Sequence, residues 1–297
     1  MSYNPKNLIL KETHCHSFHI VEERPWPLIC SFNAINIIVR IITYFNYPNG
    51  FNVLITHICF FIIIISIFIW WRDAIREGTL LGYHTSNVIK GFKYRIIIFI
   101  LREVIFFFRF FWRFFHFRLA PEVEIGNTWP PTNIIIFNPF QIPLLNTFIL
   151  LRSGVTVTWS HHSILNKRYK SALFSLIITV ILGIIFSYFQ FLEYNWSLFS
   201  FNDCTFGRIF FITTGFHGIH VAIGTSFLFF NIYRLTKSHF NHIDHFSFEA
   251  SAWYWHFVDI VWLYLFVFVY WWYYFLINII SIFNFQLKSF NKIRKRL

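Results

Sequence analysis

Three ionisable residues, Glu249, His256 and Asp259, lie inside the apolar stretch FSFEASAWYWHFVDIVW. At about 3.6 residues per helical turn, they share one face of the helix that this stretch predicts. A charge that faces lipid costs roughly 2.5–3.5 kcal/mol even on lenient insertion scales. We therefore expect a structural polar face that looks into a helix bundle or a wet cavity. We expect five tryptophans to supply large side chains on the other faces of this helix and aromatic anchors near the membrane surfaces: Trp253, Trp255, Trp262, Trp271 and Trp272.

Another acid, Glu103, interrupts the apolar run ILREVIFF. Burial disfavours the ionised form of a carboxyl group unless a donor pairs with it, and such a group suits proton buffering or a proton relay. A hydrogen-bonded carboxyl that only fixes helix packing fits the sequence equally well.

Histidines are the remaining candidates for chemistry. The best pair is His217 and His220, because an i, i+3 spacing puts both on one helix face. Spacing supports no third ligand, and the cysteines are scattered without a CxxC pair, so we predict no metal site. The groups compared are His14, Cys15, His16 and His19; His161 and His162; His217 and His220; and His239, His242 and His245.

The composition indicates a polytopic membrane protein. Of 297 residues, 56% are hydrophobic and only 13% are charged, which leaves too little polar surface for a soluble globule. A net charge of +12 would suit nucleic acid if the basic residues formed one surface, but they mostly flank apolar segments. We predict an all-α membrane protein that has no nucleic-acid partner.

Seven apolar runs are long enough to cross a bilayer, which predicts seven transmembrane helices. They span about Leu28 to Tyr47, Val53 to Trp71, Tyr94 to Phe117, Phe140 to Trp159, Ser171 to Leu192, Phe206 to Tyr233, and the stretch from Phe246 onward.

Basic residues set the expected orientation. Lys and Arg concentrate in the loops on the side of the amino terminus, and of the outward loops only the one with Arg118 carries any. This asymmetry predicts an amino terminus on the negative side of the membrane. The carboxy-terminal tail opposes the rule, and we expect it to lie on anionic headgroups. Its basic residues are Lys288, Lys292, Arg294, Lys295 and Arg296.

Several long blocks resemble the cytochrome c oxidase subunit III family. FEASAWYWHFVDIVWLYLFVFVYWW is similar to its last-helix signature, and WWRDAIREGTLLGYHT to the sequence that joins its second and third helices. WPPTNI and NPFQIPLLNTFILLRSGVTVTWSHHS are similar to the region of its fourth helix, and FHGIHVAIGTSFLF to its sixth. His14 or His16 to His19, followed by PWP, resembles its amino-terminal motif. The likeness covers nearly everything from His14 to Trp272.

The resemblance implies a two-helix arm and a five-helix bundle separated by a lipid-filled cleft. The expected organisation is an amino-terminal matrix segment at 1–27, the arm at 28–72, a matrix loop at 73–93, the bundle at 94–277 and a basic extension at 278–297.

The resemblance also implies a core subunit of cytochrome c oxidase, or respiratory complex IV, that has no catalytic residue or redox centre of its own. Haem a and copper then belong to the partner subunits I and II. The other expected partners are accessory oxidase subunits, a respiratory supercomplex and membrane phospholipids. The expected lipids are cardiolipin, phosphatidylglycerol or phosphatidylethanolamine, and the expected location is the mitochondrial inner membrane with the amino terminus in the matrix. The equivalent subunit of a quinol oxidase and, with less support, a stand-alone proton or ion transporter remain alternatives.

A group of residues at the matrix end of the spans is expected to bind phospholipid. Cations at this level can hold phosphate headgroups, and the resemblance assigns lipid contacts to the same positions. The group comprises Trp71, Arg76, Glu77, His84, Lys93 and Arg234. The resemblance also matches Glu103 to a buried acid of the family's third helix.

One feature departs from the family, which usually has small residues at these positions. Arg95, Arg102, Arg109 and Arg113 form a stripe about 40° wide on the third predicted helix. Two origins are open: the arginines meet acids or headgroups of additional subunits, or a reassigned codon specifies a small residue in their place.

Overall fold

The computed structural model describes residues 17–47, 50–121, 123, 126–129, 131, 134, 136–242, 244–272 and 274–275. Across these residues the chain forms seven α-helices and no strand. The helices are α1 (Trp26–Asn46), α2 (Gly50–Thr79), α3 (Ser86–Leu119), α4 (Ile142–Leu165), α5 (Tyr169–Asn195), α6 (Thr205–Thr236) and α7 (Phe246–Leu265), and α7 continues into a π-helical turn, Phe266–Trp271.

Six of the helices in the described part are long and apolar enough to cross a membrane: α1, α2, α4, α5, α6 and α7 with its π-helical turn. The third predicted span, α3, is 34 residues long, but it carries the arginine stripe along with Lys90, Lys93, Glu103 and Arg118. The predicted all-helical membrane class is therefore confirmed, while α3 does not have the low charge of the other six.

Several helices extend beyond the apolar runs that predict them. Helix α2 continues past Trp71 to Thr79, and α3 begins at Ser86, ahead of Tyr94. Polar residues can stay helical at a membrane surface because water or another segment supplies their partners. Proline marks the starts of α1 and α4, at Pro27 and Pro143, where a missing backbone N–H costs no hydrogen bond.

The chain divides into two compact units, Met1–Tyr94 and Arg95–Leu297. In the first, α1 packs along α2. In the second, α4 contacts α5 and α7, α5 contacts α6, and α6 contacts α7. Phe107 and Phe114 bring α3 into the same buried core.

Trp255 and Trp262 form the centre of the second unit instead of anchoring it in lipid. Both indoles are fully buried, and each donates a hydrogen bond to a hydroxyl of α4: Trp255 to Ser153 Oγ at 2.9 Å and Trp262 to Thr147 Oγ1 at 3.0 Å. Trp271 and Trp272 remain partly exposed at the end of the helix, as membrane-surface anchors would.

Space for the Trp255 ring comes from Gly224 of α6. A Cβ atom added at Gly224 would lie 2.9 Å from Trp255 Cε3, closer than real side-chain contacts allow. Because the indole is buried and hydrogen-bonded, it has little freedom to move aside.

We expect Gly224→Ala to lower the thermal unfolding midpoint of the purified protein. Overpacking against Trp255 should cost about 1–3 kcal/mol, more than the ~1 kcal/mol that alanine gains over glycine in a helix. Gly218→Ala on the same helix is the control, because no atom lies within 4 Å of its added Cβ, and it should leave the midpoint unchanged or raise it. Equal midpoints for the two variants would contradict this packing.

Candidate functional site

The polar face of α7 is directed at α4. The His256 ring lies 3.3 Å from Thr158 Oγ1, through Nε2, and 3.8 Å from Asp259 Oδ2, through Nδ1. Gly154 of α4 leaves room for this carboxylate, since a Cβ there would lie 2.7 Å from Asp259 Oδ2. Glu249, one turn into α7, lies beside His245 instead, with 3.6 Å between Oε1 and Nε2.

A second polar contact joins α3 to α6. Glu103 Oε2 lies 3.2 Å from His220 Nε2, and Glu103 Oε1 lies 3.3 Å from a guanidinium nitrogen of Arg102. The carboxyl group is mostly enclosed, with 16% of the side chain exposed, while the Arg102 side chain is 68% exposed. The sequence indicates Glu103 but not its partner His220, which lies 117 positions away.

The hydrogen bonds of His220 indicate which of its ring nitrogens carries a hydrogen. His220 Nδ1 is 2.7 Å from the backbone oxygen of Phe216, and because a carbonyl oxygen only accepts, Nδ1 must carry a hydrogen. In a neutral ring, Nε2 is then an acceptor, and it would face another acceptor at Glu103. The 3.2 Å between Oε2 and Nε2 is a hydrogen-bond distance when a hydrogen lies between the two atoms.

His217 and His220 do not converge on a common point. His217 is buried against α7, where its Nε2 lies 3.2 Å from the backbone oxygen of Val258. Beyond the end of α6, partial burial and the nearby cations Arg234 and Lys237 lower the pKa of His239 from its ordinary value. His14, Cys15 and His16 lie outside the described residues.

The segment ahead of α1 is held against the end of α2. Glu77 is buried and pairs with Arg24 and with His19 Nε2, the latter at 3.4 Å. The His19 ring also stacks on Tyr83 at 4.8 Å between centroids. A similar contact joins the start of α1 to the same region, where Trp26 donates from Nε1 to Asp73 Oδ2 at 3.1 Å. Sequence reasoning identifies the PWP motif and Glu77 separately but does not predict that they meet.

The predicted lipid group divides between the two units. In the first, Trp71 and Arg76 are exposed on α2, His84 contacts Gly78 and the Phe92 ring, and Lys93 is half-buried on α3. In the second, the guanidinium of Arg234 lies over the Phe240 ring at 4.7 Å. The charge of Glu77 is neutralised within the chain by Arg24.

Sequence reasoning misses another buried acid, Glu193, near the end of α5. Its side chain is enclosed beside Tyr270 of the π-helical turn. An acid in an apolar run is unusual and could have identified Glu193 as a candidate. Because Glu193 lies at the end of its run, however, the sequence pattern there is also typical of the start of a loop.

The comparisons place this architecture in a known family. The model of the family described as cytochrome c oxidase subunit III matches residues 16–274. The chain is similar to cytochrome c oxidase subunit 3 of Rhipicephalus sanguineus, with 51% identity over 83% of this chain and 95% of the relative. It is 50% identical to that of Patiria pectinifera over 84% of this chain and 95% of the relative, and 48% identical to that of Struthio camelus over 83% and 93%.

The chain therefore belongs to the cytochrome c oxidase subunit III family.

The arginine stripe of α3 lies on its outer face. Arg95, Arg102, Arg109 and Arg113 are all exposed in the second unit, whereas Phe107 and Phe114 on the opposite side of the helix are buried. The guanidinium groups of Arg102 and Arg113 lie over the rings of Phe99 and Phe117, at 4.9 and 5.4 Å. Such cation–π contacts offset only part of the cost of an arginine that faces lipid.

Trypsin digestion of the natural protein distinguishes the two origins of the stripe. If the arginines are real and meet partner groups, cleavage after Arg102 and Arg109 releases the peptide EVIFFFR, which mass spectrometry identifies. We expect this peptide. A longer peptide with a small residue at position 109 would instead establish codon reassignment.

Proposed function

We propose that this chain is a non-catalytic core subunit of cytochrome c oxidase that stabilises the catalytic subunit, binds phospholipid and supports proton uptake during electron transfer to oxygen. The observation that carries the proposal is the identity of about half of the aligned positions with relatives that bear this name, over nearly the whole length of those relatives. The same names favour an oxidase of cytochrome c over a quinol oxidase or a stand-alone transporter. Haem a and copper are then carried by the partner subunits.

The proposed membrane arrangement has seven spans, with α1 and α2 as an arm beside a lipid-filled cleft. It is supported by family membership and by the six apolar helices. The proposed location is the mitochondrial inner membrane with the amino terminus in the matrix, which the distribution of Lys and Arg supports.

Support for proton uptake comes from the Glu103–His220 pair. The two groups lie 3.2 Å apart in the apolar part of α3 and α6, and the side chains of His220 and Glu103 are 10% and 16% exposed. A carboxyl–imidazole pair in this setting can accept a proton from one side and release it to another without moving a charge into lipid. In this role the pair buffers the proton supply of a neighbouring subunit.

Glu103→Gln is expected to leave the initial rate of oxygen reduction unchanged and to shorten the period over which the complex stays active during turnover. The amide cannot carry the exchanged proton, while the redox centres lie elsewhere. A complex assembled without this chain should reduce oxygen and lose activity still faster. Oxygen consumption followed to exhaustion measures both quantities.

Glu23→Gln, an exposed acid near the start of α1, is the control and should retain the wild-type lifetime. An unchanged lifetime for the complex that lacks this chain would contradict the proposed function. An unchanged lifetime for Glu103→Gln alone would leave the subunit role standing and remove the proton role.

Support for lipid binding comes from the end of α2. Arg76 and Trp71 are both exposed near the end of α2, where they supply a cation and an aromatic residue of the type that prefers the headgroup level. Neighbouring Arg72 is held by Asp73, with bonds of 3.0 and 2.9 Å to Oδ1. In this proposal Glu77 acts indirectly, because it holds the amino-terminal segment through Arg24 and His19.

Arg76→Ala is expected to weaken binding of an anionic phospholipid about fivefold, since each basic residue near a membrane surface contributes about 1 kcal/mol. Arg72→Ala is the matched control and should retain more of the bound lipid, because its guanidinium is already paired with Asp73. Native mass spectrometry of the complex, titrated with phosphatidylglycerol, measures the retained lipid. Equal loss in the two variants would argue against a specific role for Arg76.

A further inference from the structure

Three side chains with metal-binding atoms converge where the end of α4 meets the start of α7. They are His161 on α4, His245 immediately before α7, and Glu249 in the first turn of α7. One ligand atom from each lies within 4.8 Å of the other two, and this is the one such group among the residues that the structure describes. Both histidines are candidates in the sequence, but their spacing does not predict that they meet, because 84 residues separate His161 from His245.

Two of the three spacings between these atoms are close to those in the ligand shell of a small divalent cation. His161 Nε2 lies 3.2 Å from His245 Nε2, which in turn lies 3.6 Å from Glu249 Oε1. Zinc binds imidazole nitrogen at about 2.0–2.1 Å and carboxylate oxygen at about 2.0–2.2 Å, so tetrahedral geometry puts neighbouring ligand atoms about 3.4 Å apart. An ion between the three atoms would therefore need little movement of the side chains.

The backbone orients His245 as a ligand. Its Nδ1 lies 3.2 Å from the backbone oxygen of Asn241, an atom that only accepts, so Nδ1 carries a hydrogen and the Nε2 of a neutral ring presents its lone pair to the other two groups. Histidines that bind metals usually donate their second ring N–H to a carbonyl or a carboxylate in this way. The same lone pair faces His161 Nε2 at 3.2 Å, and this nitrogen can donate a hydrogen bond to it when no ion is bound.

The surrounding contacts hold the three groups while leaving access to them. His245 is buried, His161 is half-buried, and the Glu249 side chain is 17% exposed. The His161 ring contacts both the His245 ring, at 5.3 Å between centroids, and the Phe248 ring, at 5.8 Å. Two neutral imidazoles and one carboxylate would leave a bound divalent ion with a single net positive charge and a fourth position for water.

We propose that His161, His245 and Glu249 form a binding site for a zinc-type divalent cation, which links the end of α4 to the start of α7. The site contains no residue of the Glu103–His220 pair and does not depend on the proposed proton role. Its ligands come from both ends of a long segment of chain, so a bound ion would oppose separation of the two helices at this surface.

The test uses the purified oxidase complex, stripped with a chelator and titrated with radioactive zinc. The intact complex should bind one more zinc ion than complexes that carry His161→Asn or Glu249→Gln. The affinity at this site should fall by more than the roughly 10–100-fold that loss of an outer hydrogen-bond partner costs. His162→Asn, at the neighbouring exposed histidine, is the matched control and should bind as the intact complex does. Equal zinc content in all four complexes would overturn the proposal.

A second measurement needs no variant and decides the question if a substituted complex does not assemble. Crystals of the intact complex soaked in zinc should give an anomalous difference peak at the zinc edge, between His161 Nε2, His245 Nε2 and a Glu249 carboxylate oxygen. No peak there at saturating zinc would overturn the proposal, whatever the variants show.

Discussion

A polar group on a membrane helix must find its partner inside the protein, because hydrocarbon supplies none. Helix α7 illustrates this constraint. Its indole N–H groups donate to hydroxyls of α4, and the His256–Asp259 pair lies against Thr158 and Gly154 of the same helix. The contact of α4 with α7 is therefore set by hydrogen bonds as well as by packing, and any rotation of α7 would leave several groups unpaired at once.

The same constraint explains why chemistry concentrates at helix contacts. Glu103 is tolerated on α3 because His220 of α6 lies 3.2 Å from its carboxyl group. His245 similarly has its Nε2 3.2 Å from His161 of α4 and 3.6 Å from Glu249 of α7. In both places a group that stabilises the fold also has a chemical capacity, so stability and function cannot be separated by burial alone.

Much of the helical framework could be predicted from the sequence, because a long uninterrupted apolar run is rarely stable as anything but a membrane helix. Helix ends were less predictable: α2 continues for eight residues past Trp71, where polar side chains find partners in the segment ahead of α1. Of the candidate sites, single residues such as Glu103 and Glu249 were predictable because acids are rare in apolar stretches. The partner of Glu103, His220, was not predictable, and neither was the approach of His161 to His245, since nothing in a linear pattern shows which helix faces which.

The π-helical turn Phe266–Trp271 has a consequence for the end of the last helix. A π turn holds about one residue more than an α turn, and one residue corresponds to about 100° of rotation. The surplus lets Val269 and Tyr270 return to the interior after Leu265, while Trp271 and Trp272 turn outward. The helix therefore changes which residues face inward without a break in the chain. Shortening this segment by a single position would move Tyr270 to the place of Val269 and bring the indole of Trp271 towards Glu193.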